Sequence, residues 1–225
     1  RGARMSEGDS FIQEVSEEVR RERLYGYLRR YGWIGILAVL LIVGGAAANE
    51  WRKARAEAEA RATGDALLAA LEAGSPEARQ RALAEIEADG GAADVVSLLL
   101  AAERLAAEDR AGAAEALRPL AGDAEAPAVY SDLAALKLVM LGEDGVDATT
   151  RAQLLERLTG PGAPYRLLAR EQQALAHLAA GRPGDALGTA QELLQEPGLP
   201  QGLRQRLSQL IVALGGELPR GGGGE

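Results

Sequence analysis

The sequence predicts an all-α protein with an N-terminal amphipathic helix, one transmembrane helix, and then an α-solenoid of degenerate helix pairs. Three observations carry this expectation. Hydrophobic residues make up 47% of the 225, but aromatics only 4%, so the apolar content is mostly Ala, Leu and Val. Ala and Leu lead the helix scale, whereas sheets draw on β-branched and aromatic side chains. Residues 32–48 (GWIGILAVLLIVGGAAA) form a charge-free run inside an otherwise polar N-terminal region. Beyond Trp51, Ala- and Leu-rich stretches are punctuated at short intervals by Gly, Pro and Asp.

Composition also excludes chemistry. With no Cys and one His, there is no disulfide framework, thiol nucleophile, Cys-ligated zinc or His-rich metal site, and no cofactor is expected. Net charge is −8, divided as +1 over residues 1–49 and −9 over the remainder. An acidic body repels nucleic-acid phosphate.

Residues 1–8 are expected to be disordered, and the four before Met5 look like upstream sequence outside any functional reading. Residues 9–30 (DSFIQEVSEEVRRERLYGYLRR) suit a cytoplasmic amphipathic helix. Asp9 or Ser10 can cap it, and Phe11, Ile12, Val15, Val19 and Leu24 recur at near-helical spacing. This helix could lie solvated at the membrane surface or present a docking face.

Residues 31–51 are the expected membrane span. The 17 residues of the apolar run reach about 25 Å as a helix, and Tyr31 and Trp51 extend it. Tyr31, Trp33 and Trp51 occupy the ends, where interfacial rings belong, and Ile34, Leu37, Leu40, Leu41 and Val43 form the anchor between them. A buried soluble helix is an alternative, opposed by the flanking pairs Arg29-Arg30 and Arg52-Lys53. A cleaved signal at Ala46-Ala47-Ala48 is another, opposed by the long organised stretch before it. Arg20, Arg21, Arg23, Arg29 and Arg30 precede the span, against Arg52, Lys53, Arg55 and Arg61 after it. This balance slightly favours the N-terminus inside. Gly44 and Ala48 make a small-xxx-small pair that permits helix approach.

Residues 52–72 (from WRKARAEAEARA) lack a continuous apolar face and suit a stalk, with Glu57 and Arg61 at i,i+4 spacing. Residues 73–215 are the expected helical domain. Helices are predicted at 76–88, 92–108, 111–121, 127–141, 148–158, 165–180, 183–195 and 201–214. The connections are short, so neighbours should be antiparallel. Residues 216–225 are a flexible Gly-rich tail.

The tetratricopeptide pattern puts small residues where paired helices cross, at positions 8, 20 and 27 of the unit, with Pro near 32. With Ala114 at position 20, Ala102 falls at 8, Ala121 at 27, and Pro127 one late. With Ala186 at 20, Ala174 falls at 8, Leu193 stands mismatched at 27, and Pro197 is one early. A divergent pair at 127–158 lies between. The fold class is therefore an α-solenoid of degenerate tetratricopeptide-like helix pairs, with an unrelated Ala-rich bundle as the alternative.

Residues 9–58 also resemble the start of the ancillary subunits of the SecYEG translocon, the YfgM-like family. The resemblance is carried by Glu17-Glu18-Val19-Arg20-Arg21, Arg29-Arg30-Tyr31-Gly32 and Asn49-Glu50-Trp51-Arg52. It implies a bacterial inner-membrane protein, single-pass, with a cytoplasmic N-terminus and a periplasmic tetratricopeptide-like domain. The implied partners are the lipid bilayer, the SecYEG translocon, and periplasmic chaperones or exported polypeptides.

The sequence contains no G-x-S-x-G, P-loop or H-E-x-x-H. His177 is expected to be structural. Glu143, Asp144 and Asp147 in GEDGVD lack calcium-loop spacing and suit solvated helix-start carboxylates. Only Tyr130 and Tyr165 serve the body, few rings for a tight small-molecule pocket. The expected function is a non-enzymatic scaffold or chaperone-like accessory at the translocon, without nucleic-acid or small-molecule substrate. An accessory subunit of a respiratory or photosynthetic complex, or an envelope-stress regulator, are the alternatives.

Overall fold

The computed structural model describes the backbone of residues 7–218, and side chains at residue 30 and from Trp33 onward. Among the described residues there are nine α-helices, one short 3₁₀ turn and no strand. Most of the expected disordered start and Gly-rich tail lies outside this range. So do the side chains of Arg20, Arg21, Arg23, Arg29 and Tyr31, and with them the amphipathic face expected over 9–30.

The chain divides into two compact units, residues 1–60 and 61–225. Helix α1 (Glu7–Leu71), a single helix of 65 residues that begins two residues before the expected cap, supplies the first unit and runs on past residue 60. It continues through residues 30–31 and 51–52, where the sequence distinguishes three segments. No Pro occurs within it, and its scattered Gly residues cost about 1 kcal/mol each against long flanks of Ala, Leu, Glu and Arg. Within the apolar run the large hydrophobics are all exposed, Trp33 at 62% and Leu41 at 69%. At the polar end the Arg55 guanidinium lies 5.9 Å from the centroid of the Trp51 ring, and its Nε donates to Glu59 Oε1 at 2.9 Å.

The second unit contains α2 (Pro76–Ala84), α3 (Gly91–Ala106), α4 (Arg110–Gly122), α5 (Ala128–Met140), a 3₁₀ turn (Gly142–Asp144), α6 (Ala148–Thr159), α7 (Arg166–Ala179), α8 (Pro183–Leu194) and α9 (Gln201–Ala213). Each helix packs on the next, and α3 also meets α5, as α5 meets α7. Contacts therefore propagate along a stack rather than around one centre. Buried Ala and Leu fill it in two stretches. One runs from Ala101 in α3 to Ala169 in α7 and the other from Ala190 in α8 to Ile211 in α9, with Leu167 and Leu168 packed on the second.

Local chemistry sets the helix starts. Ser75 caps α2, its Oγ accepting from the Ala78 N–H at 3.2 Å, with Pro76 in the first turn. Asp109 caps α4 by accepting from the Gly112 N–H at 2.8 Å. α2 ends at Ala84, four residues short of the predicted 88. Residues 85–88 are helix formers, but the chain must reach Gly90, whose φ of 54° redirects it into α3. Tertiary closure overrides propensity there. Gly145 sits so close under α5 that a β-carbon would overlap the Leu138 carbonyl oxygen, which holds the turn before α6 tight.

Candidate interaction surfaces

Of the residues the sequence assigns to the membrane anchor, Trp33, Ile34, Leu37, Leu40, Leu41, Val43 and Trp51 are all exposed on α1. Arg30 is exposed as well. One helix among the described residues, drawn from α1 beyond Trp33, is long and apolar enough to cross a membrane.

In the body, three helix–turn–helix passages share one register. Each turn places one residue in the left-handed region: Glu108 (φ 62°) after α3, Gly142 (φ 69°) after α5 and Gly181 (φ 71°) after α7. Seven residues before each stands a fully buried alanine, Ala101, Ala135 and Ala174. The first and third turns close with the same bond, the Asp109 N–H to the Arg104 carbonyl and the Arg182 N–H to the His177 carbonyl, both at 2.9 Å. The second helices begin after Asp109, Asp147 and Arg182. Eight positions on are Leu117, Leu155 and Ala190, and eleven on are Leu120, Leu158 and Leu193, all buried.

This register corrects one assignment. Ala102 is exposed, and Ala101 holds the buried place expected for it. Adjacent helix residues point about 100° apart, so a one-residue slip turns a contact residue outward. Ala114, Ala121, Ala174 and Ala186 are buried, but the matching pairs are Ala101 with Ala174 and Ala113 with Ala186. Leu193 is no mismatch, because Leu120 and Leu158 occupy its place. The equivalent prolines are Pro127 and Pro200, which stand at the N-caps of α5 and α9.

A model of the family described as tetratricopeptide repeat-like domain matches residues 26–193. The chain belongs to this family. No curated protein and no solved structure is matched. In the terms of the tetratricopeptide-like fold, α3–α4, α5–α6 and α7–α8 are three helix pairs, preceded by α2 and followed by α9. The fold is a stack in which each helix pair presents surface beside its neighbours.

The exposed large hydrophobics on the helices of this tetratricopeptide-like stack are Val129 and Met140 on α5, Leu175 and Leu178 on α7, and Val212 on α9. These are the leading helices of successive pairs, with α9 continuing the series. Leu178 and Val212 hold the same place, three residues before the left-handed Gly181 and Gly215.

Ion pairs lock the last tetratricopeptide-like pair. Arg166 grips Glu196 through both terminal nitrogens, at 2.9 and 2.6 Å, while Arg170 reaches Glu196 at 3.1 Å and Glu192 at 2.7 Å. The Arg166 hydrogen bonds hold the Glu196 carboxyl below the usual carboxylate range. Arg206 on α9 donates to both oxygens of the buried Glu171 at 2.7 and 2.8 Å, and that contact raises its own pKa.

The acidic loop 143–147 divides its work. Asp147 caps α6, accepting from the N–H groups of Thr149 and Thr150 at 2.9 Å each and from the Thr150 hydroxyl at 2.6 Å. The hydroxyl bond comes first among the causes that lower its pKa. Asp144 accepts from Arg110 Nε at 2.7 Å. Glu143 borders a cavity of about 540 Å³ between α6 and α7. His177, half-buried, lies on its wall with Arg151, Leu155, Thr159 and Gln173, and no Phe, Tyr or Trp lines it. Sequence reasoning missed Arg151. Counting four residues on from the Asp147 cap, as from Asp109 and Arg182, would have found it.

Proposed function

We propose that this protein is a single-pass scaffold of the bacterial inner membrane, anchored by residues 31–51 beside the SecYEG translocon. Its tetratricopeptide-like body would stand in the periplasm and hold exported polypeptides or periplasmic chaperones without covalent chemistry. The observation that carries this reading is a pairing within one chain. A domain of an interaction-repeat family is joined in sequence to an apolar helix whose large hydrophobics are all exposed. Exposed apolar surface on that scale is stable only against lipid or another protein. The resemblance of residues 9–58 to translocon ancillary subunits supports SecYEG as the neighbour. Tetratricopeptide-like domains are typically interaction modules, and the exposed apolar residues of α5, α7 and α9 suit non-covalent contact.

The test is affinity capture of the full chain after extraction in a mild detergent. Recovery of SecYEG components is the expected result. Recovery of an intact respiratory or photosynthetic complex without them would replace the translocon by that complex. A cytoplasm-only reporter fused after Glu225 should be inactive, and activity there would overturn the periplasmic placement.

A further inference from the structure

The middle helix pair departs from its neighbours at one residue, and that residue borders a cavity. Four positions past the cap, α4 and α8 carry the fully buried Ala113 and Ala186. The same position in α6 is Arg151. Its guanidinium is charged at any physiological pH. The Nε and Nη2 atoms are covered from solvent and have no hydrogen-bond partner. Nδ1 of His177, on α7, is in the same condition. Both side chains border the cavity of about 540 Å³ between the two helices.

Elsewhere in the body the half-buried arginines are met. Arg104 Nη1 donates to the Gly112 carbonyl at 2.6 Å, and Arg79 Nε to Glu103 at 2.7 Å. Buried donors without an acceptor destabilise a fold, so a repeat that replaces its small packing residue with an unmet cation departs from its own pattern against the interest of stability.

We propose that the cavity between α6 and α7 binds a carboxylate, with Arg151 as the anchor and His177 as a second donor. A guanidinium fork matches a carboxylate or a phosphate through two parallel bonds. The wall distinguishes these: Arg182 also borders the cavity but is paired with Asp185 at 3.4 Å, whereas Glu143 and Glu156 repel a dianion more than a monoanion. Ala152, Leu155 and Ala176 supply an apolar floor, which favours a carboxyl carried on a short aliphatic group. That group is either a small free acid or an acidic side chain on a peptide. The proposal stands independently of the membrane and translocon reading.

The chain has one histidine, so ring-labelled histidine in the full chain, in a non-ionic detergent at constant pH and ionic strength, gives one reporter signal. Titration with butyrate should shift it saturably within the millimolar range. Arg151→Gln should weaken binding roughly tenfold or more, the loss expected for a charged bidentate partner. Arg151→Ala, which installs the residue of the other pairs, should abolish binding while leaving the thermal midpoint equal or higher. Arg204→Gln, at an exposed position of α9, should change nothing. An acetylated, amidated peptide whose only carboxyl is a Glu side chain separates the sources. If it binds more tightly than butyrate the ligand is a protein, and if more weakly a free acid. The proposal is overturned by the absence of a saturable shift, by equal shifts from butyramide, by unchanged affinity in Arg151→Gln, or by tighter binding of inorganic phosphate than of butyrate.

Discussion

Glu108 holds a left-handed turn at φ 62° that the two later pairs give to Gly142 and Gly181. A side chain there costs about 1–2 kcal/mol, offset by the extra freedom glycine gives the unfolded chain. Glu108→Gly should therefore stabilise the body by about 0.5–1 kcal/mol in urea denaturation, and a loss of stability would show that the Glu108 side chain contributes a compensating contact. The same scale explains what was legible at Ala102 and Ala174. Both stand at plausible repeat positions, yet only Ala174 is buried, because alanine is so frequent here that spacing alone tolerates a one-residue slip. The turn residue settles the register, and a glutamate in a glycine's place hides it from sequence.

At the scale of the element, α7 is the most heavily tied helix, gripping Glu196 after α8 and receiving Arg206 from α9. Sequence shows these as scattered charges, because their partners lie 30 and 35 residues apart. Glu196 carries a pH consequence. Its carboxyl titrates lower when folded than an ordinary glutamate, chiefly through the Arg166 hydrogen bonds. A depressed carboxyl stabilises the folded state above the unfolded pKa and loses that contribution as pH falls through the folded one. Glu196→Gln should thus be less stable than the parent at neutral pH and approach it in acid. Parallel denaturation curves at pH 7 and in the acid range check this, and a constant difference would exclude the linkage. α1 gives the opposite case. Its helicity is plain from composition, and no proline or cap within it marks a boundary.

At the scale of the whole molecule, the exposed apolar run of α1 makes a physical demand for an apolar cover, and the proposed anchor takes it from lipid. The full chain should float with liposomes in a density gradient, whereas a chain lacking residues 31–51 should remain with the aqueous fraction. Equal flotation of the two would remove the anchor from the account.

The sequence by itself determined the helical class, the apolar run, most helix positions and the presence of degenerate pairs. Those depend on local propensity, on hydrophobic length and on turn residues, all carried by near neighbours in the chain. The tertiary structure decided the repeat register, the early end of α2, the ion pairs of α7 and the place of Arg151. Each of these depends on which residue meets which across a helix interface, where a rotation of about 100° per residue separates a buried side chain from an exposed one.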